Sequence, residues 1–328
     1  MTSQYQGQTN IVKEPVLQII TNYPKMQRLF LTIILTLVTS LSLSQPNYEE
    51  RFELAWQLVD DRYWNLEERE VDWNLIRKLY SAKALKARDE PAFYSVLENM
   101  YLELSDNHSI FIPPNRLEAY RANYGHLPCL NIFMLANKAS DTIHFELMTN
   151  KLGYIRLPEL ASQNVAKRVR TAVRELVEQQ ATGLVLDLRG NPGGRLLAMM
   201  QVAGIFTRGF LWRTITNWTL PIPYPALGVT ETNLPLAILI DSDVHSAAEG
   251  LAGALQNTGR AKLIGQKTAG NVEAILPFCF PDGSQAWIAT GVLAPIAGAT
   301  WEGRGVIPDI RTSPNETLST ALQLLAPQ

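Results

Sequence analysis

The sequence predicts an α/β protein whose core follows a helical region, and three observations carry that reading. Residues 184–186, 236–240 and 261–264 are short, continuous apolar runs of the kind that become parallel strands buried on both faces. Around them lie stretches with apolar residues at helical spacing, of which Val165, Val169, Val173, Leu176 and Val177 form the clearest stripe. The two kinds of segment alternate along residues 153–328, the pattern of an α/β core. The 328 residues are 46% hydrophobic and 18% charged with a net charge of −2, which excludes a disordered chain and a basic nucleic-acid binder.

Residues 1–46 read as a leader. Met26-Gln27-Arg28 precede an apolar run at 29–38, and small polar residues then continue to Ser44. A positive start, a short apolar centre and a serine-rich end form a signal-peptide pattern, cut near Ser44. The residues before Met26 are polar, so Met26 reads as the true start. The run is short for a membrane span, and an uncleaved anchor giving membrane association is the alternative. Cys129 and Cys279 have no metal-like spacing and read as buried thiols or as one disulfide.

Residues 47–107 read as an N-terminal helical subdomain. Phe52, Trp56, Val59 and Tyr63 bury one face of a first helix. Asp72 is the expected N-cap of a second, with Leu75, Ile76 and Leu79 facing inward. A third, near residues 90–104, carries Phe93, Val96, Leu97, Met100 and Tyr101. It ends in Leu104-Ser105-Asp106-Asn107-His108-Ser109, where the imidazole is either a general base or part of a capping cluster. Residues 108–152 form a short connecting region, broken at Pro113-Pro114, with strands expected at 130–135 and 142–148. His126 and His144 lack ligand-spaced companions and read as ordinary histidines.

The core opens with a strand at 153–157. Residues 196–206 read as a helix, and 210–233, rich in Trp and Pro, as a cleft wall or a surface loop. A strand at 286–290 and a closing helix at 316–325 complete the series. The stretch Leu184 to Gly194 ends its strand in Asp187 and Arg189 and continues as Gly190-Asn191-Pro192-Gly193-Gly194. Such a loop either cradles an anion with free N–H groups or is a plain strand-to-helix turn. Downstream, Val244-His245-Ser246-Ala247-Ala248-Glu249 is a small-residue helix start able to supply a nucleophile.

Taken together, Leu104 to Ser109, the 187–194 loop, Ser246-Ala247-Ala248-Glu249, the segment from Gly259-Arg260 to Gly270 and that from Glu302-Gly303 to Asp309 resemble the carboxyl-terminal processing (tail-specific) protease family, in its tricorn-core branch. The resemblance implies a crotonase/ClpP-like core of stacked ββα units with Ser246 as nucleophile. The main branch pairs its serine with a lysine at the position that is Asn271 here, and Lys267 matches a different, non-catalytic basic residue. The tricorn branch implies Ser246, His108 and Glu302, a set that is complete. The family's peptide-binding PDZ domain has no room in residues 108–152.

A serine hydroxyl needs a base, and His108, with an unperturbed pKa of roughly 6.5, is neutral enough near pH 7 to serve. Glu302 would orient its ring. The oxyanion would take N–H groups from Ala247 and from Gly193 or Gly194. Glu249, three residues past Ser246, supports the site's geometry or completes a capping box, and Lys267 is a reserve base if desolvated. The expected protein is an exported serine peptidase of periplasm, lumen or exterior, acting on peptides or proteins with no metal or cofactor. A catalytically silent, peptide-binding or scaffolding relative is the first alternative, and a crotonase-type enzyme of acyl-CoA the second.

Overall fold

The parallel strands come first because they position the site. In a computed structural model, which describes residues 47–67, 70–106, 108–124, 143–217 and 219–326, six strands form one sheet. In chain order they are β2 (His144–Leu147), β3 (Leu152–Arg156), β4 (Gly183–Asp187), β7 (Leu236–Ile240), β8 (Lys262–Gly265) and β11 (Ile310–Arg311). They lie in the order β11-β8-β7-β4-β3-β2, all parallel except β2, which pairs antiparallel to β3 at the edge. The apolar runs are continuous because both faces are covered. Leu184, Leu186, Ile238 and Ile240 enter the core beneath α5 (Val165–Glu178), α6 (Leu196–Phe206) and α7 (Ala247–Asn257), whereas Val185, Ala237 and Leu239 pack under α8 (Thr317–Leu325).

The second sheet is antiparallel. Its axis is β10 (Gln285–Pro295), flanked on one side by β9 (Glu273–Cys279) and on the other by β1 (Ile110–Ile112) and β5 (Phe210–Ile215), with β6 (Ile222–Pro225) beyond β5. The first part of the segment 210–233 is thus a hairpin of β5 and β6. Trp212 fills its root, fully buried, with its indole N–H on Gly250 O at 2.8 Å. The helix expected at 196–206 and the strand at 236–240 have those bounds. The strand expected at 286–290 is the middle of an eleven-residue one, because a register shift between Ala289 and Gly291 lets it run on.

Three helices, α1 (Tyr48–Arg62), α2 (Trp73–Leu85) and α3 (Glu90–Leu102), cover the β10 residues Ala286, Ile288 and Ala289. Phe52, Trp56, Val59 and Tyr63 are buried as their spacing predicts, and Asp72 caps α2 by accepting from Leu75 N at 2.9 Å. The inward face assigned to α2 needs correction. Leu75 and Leu79 are 47% and 51% exposed, and Trp73, Tyr80 and Ala84 are buried instead. The two tryptophans set that rotation, since the Trp56 and Trp73 indoles each donate to the other's carbonyl, at 2.9 and 3.0 Å. A helix of Leu117–Tyr124, α4, follows β1.

Residues from Asn47 onward form one compact unit. The leader, His126, Cys129 and the strand expected at 130–135 lie outside the described residues. His144 is an exposed surface histidine, as expected. Cys279 is disulfide-bonded. Among the described residues no helix is long and apolar enough to cross a membrane.

Candidate active site

Loops leaving the carboxyl ends of β4, β7 and β8 meet at one edge of the parallel sheet, where α/β proteins place their ligands. The first is fixed at its root by Asp187. Its buried carboxylate accepts from Arg189 Nε at 2.9 Å, Arg189 Nη2 at 2.6 Å and the Tyr154 hydroxyl at 2.7 Å. Burial alone would raise the Asp187 pKa, but these donors outweigh it and hold the group below the usual carboxylate range. Asn191, fully buried, then organises the turn. Its side chain donates to Leu157 O at 2.9 Å and accepts from Gly193 N at 2.8 Å, while its carbonyl accepts from His245 N at 2.9 Å.

That last bond docks the glycine loop on the Ser246 turn. Gly193 lies so close that a Cβ there would stand 2.7 Å from Ser246 Cβ. Its N–H is engaged by Asn191, which removes Gly193 from the expected donor pair. Gly194 is different. Leu160 N donates to Gly193 O and Arg195 N to Leu160 O, at 2.8 and 2.9 Å, a parallel bridge that turns the Gly194 N–H away from Leu160. Among the described residues the N–H groups of Gly194 and Ala247 meet no acceptor.

Ser246 sits between β7 and α7 with φ +52° and ψ −124°. A non-glycine residue at positive φ costs about 1–3 kcal/mol, and such strain is typical of a nucleophile on a sharp strand-to-helix turn. Its N–H donates to Asn271 O at 2.8 Å and to Glu249 Oε1 at 3.2 Å. Glu249, fully buried, also accepts from Thr268 Oγ1 at 2.5 Å, Gly270 N at 2.7 Å and Asn271 N at 2.8 Å. One carboxylate therefore clamps the loop after β8 to the start of α7. Lys267, in the same loop, is exposed. The side-chain oxygen of Asn271 is buried without a hydrogen-bond donor.

His108 is presented by an Asp106 turn. Asp106 Oδ1 accepts from His108 N at 2.9 Å and Ser109 N at 2.7 Å, and Ser109 Oγ accepts from Ala289 N at 3.0 Å, locking the turn to β10. The carboxylate on its ring is Glu273, not Glu302: His108 Nδ1 meets Glu273 Oε2 at 2.6 Å. The reason is one of reach. Glu273 opens β9 and points under the histidine, whereas Glu302 Oε2 is occupied at 2.7 Å by Val272 N. The charge of Glu302 is still felt by the ring. Burial pulls the His108 pKa down, but the Glu273 hydrogen bond and the charges of Glu273, Asp106 and Glu302 raise it above 6.5 overall. Glu273 accepts from the Trp64 indole on its other oxygen, at 2.8 Å.

Ser246 and the His108–Glu273 pair are therefore linked by a short path, because Asn271, which takes the Ser246 N–H, is two residues before Glu273. The sequence reading passed over Glu273. Its one signal was a carboxylate opening an otherwise apolar strand, where a buried charge demands a partner. Among the described residues His245 bonds through its backbone, its N–H to Asn191 and its carbonyl to Ala248 N at 3.0 Å.

A glycine loop and a strained serine at the carboxyl edge of a parallel sheet, with a second sheet packed alongside, fit a ClpP/crotonase-like core. Residues 151–312 match peptidase family S41, and residues 44–101 match the tricorn protease C1 domain. Residues 151–312, just under half of the chain, thus carry the likeness to peptidase family S41. Among its relatives, a carboxyl-terminal-processing protease of Picosynechococcus sp. is 34% identical over 52% of this chain and 41% of its own length. One from Synechocystis sp. is 41% identical over 36% of this chain and 28% of its own length, so the chain aligns with less than half of these relatives. A solved photosystem II D1 C-terminal processing protease superposes with a TM-score of 0.69 at 21% identity, covering 86% of this chain and 98% of that one. Mature CPAF complexed with lactacystin gives 0.58 at 13% identity, over 85% and 97%, a likeness of fold.

Proposed function

We propose that this chain is an exported serine peptidase that cleaves peptide bonds in protein or peptide substrates through Ser246, His108 and Glu273. The observation that carries the reading is the short Glu273–His108 bond, anchored two residues from the loop position that holds the Ser246 amide. With Nδ1 facing a carboxylate, the other ring nitrogen is left to accept a proton. His108 Nε2 takes the Ser246 hydroxyl proton as Oγ attacks the scissile carbonyl carbon. Negative charge develops on the carbonyl oxygen, which the Gly194 and Ala247 N–H groups receive. The imidazolium, stabilised by Glu273, returns the proton to the departing amine, and a water molecule repeats the sequence on the acyl-enzyme.

Glu302 adds negative charge near the ring and fixes the Val272 amide, so it keeps a supporting part. Export rests on the 29–38 run after Met26-Gln27-Arg28 and gains support from the disulfide at Cys279, since such bonds persist in oxidising compartments. The test is Ser246→Ala. Cleavage of a responsive peptide should fall on the order of 10⁴-fold or more, with the circular dichroism spectrum unchanged. Retained cleavage ends the assignment.

A further inference from the structure

We infer that Trp64, just beyond the end of α1, is a positioning residue that sets the basicity of His108 through Glu273. The inference rests on His108 being the base. Trp64 Nε1 donates to Glu273 Oε1 at 2.8 Å while Oε2 of the same carboxylate meets His108 Nδ1 at 2.6 Å. The Glu273 side chain is fully buried, so its charge is governed by the groups that touch it rather than by water. Two further contacts fix the indole. Trp64 N donates to Ala289 O at 3.1 Å, and the N–H of that same Ala289 holds Ser109, the neighbour of His108. The ring itself packs against both large apolar clusters, that of the helices and that of the α/β core. One β10 residue therefore registers the tryptophan and the histidine turn against each other.

The chemistry follows from what faces the ring. Glu273 from β9, Asp106 from the turn before His108 and Glu302 from the loop after β10 are all acidic, and all favour the imidazolium. An indole is a neutral donor. It draws charge from Oε1 without cancelling it, leaving the carboxylate strong enough to orient the imidazole but weaker than an unbonded one. Trp64 thereby tempers the rise in His108 basicity. It also makes the helices covering the second sheet part of the site.

The test is the titration of His108 by NMR in the full chain carrying Ser246→Ala, with and without Trp64→Phe. Loss of the indole donor should raise the His108 midpoint by about half to one unit, with a matching three- to ten-fold loss of kcat/KM on the acid side of the profile in the Ser246 enzyme and little change in KM. A midpoint that stays or falls overturns the inference, because a tryptophan that only fills space has no reason to move it. Should Trp64→Phe fail to fold, the unmodified side chain still reports. The Trp64 indole N–H resonance should shift with the His108 midpoint, and one that stays flat through it refutes the link. The titration needs no turnover, so it can fail or succeed independently of the peptidase assignment.

Discussion

His108 is held between opposing forces, and its behaviour follows from which one wins. Burial disfavours the imidazolium, yet the Glu273 bond and three acidic charges leave its pKa raised. The linkage has a definite sign. The stability this pair contributes is fully present below the unfolded value of roughly 6.5 and is lost as pH rises through the folded value. Activity runs the other way, because the neutral ring is the base. Glu273→Gln removes the charge that bonds the ring and leaves only the more distant Asp106 and Glu302 to oppose burial, so the acid limb of the kcat/KM profile should move to lower pH while the plateau drops on the order of 10²–10⁴-fold. Glu302→Gln should move the limb in the same direction with a smaller loss of plateau, since it touches the ring by charge alone. A Glu302 variant that loses more activity than the Glu273 variant would reverse this assignment. At this scale the sequence was legible in its local geometry, which set Ser246 at a helix start and Gly194 in the turn after a strand. It was opaque where function depends on direction. Nothing in the order of residues tells that Glu302 turns to a backbone amide and Glu273 to the imidazole.

Among the elements, α1 and the turn joining β9 to β10 are held together by Arg51. This buried guanidinium makes paired bonds at 2.7 Å to both oxygens of Glu90 and a third at 2.7 Å to Asp282, beneath the faces of Phe93 and Tyr94. Removing it leaves the Asp282 carboxylate buried beside aromatic rings. Arg51→Ala should cost about 3 kcal/mol, read as a lowered denaturant midpoint with unchanged slope. The Glu90 partner is half exposed, and Glu90→Ala should cost much less. A near-neutral Arg51→Ala would show that apolar packing alone joins the helices to the sheet. Periodicity located α5 because its stripe faces a uniform apolar sheet. It failed on α2 because two tryptophans exchanging hydrogen bonds decide which way that helix is turned, and leucines were a poor guide to it.

Across the whole molecule, the candidate site draws on the strand ends of the parallel sheet, where the glycine loop meets Ser246, and on the antiparallel sheet, where Glu273 meets His108. The parallel sheet was legible because strands buried on both faces must read as unbroken apolar runs. The antiparallel sheet was not, since its strands are irregular, proline-interrupted and paired over long separations in sequence. The peptidase reading requires that this assembly activate one hydroxyl. The most direct measurement is the rate at which a fluorophosphonate labels Ser246 in the unaltered chain and in the His108→Ala and Lys267→Ala variants, with the modified residue identified by mass spectrometry. Labelling should persist in Lys267→Ala and fall at least 10²-fold in His108→Ala, the scale of a lost general base. Labelling that survives in His108→Ala and vanishes in Lys267→Ala would contradict the account.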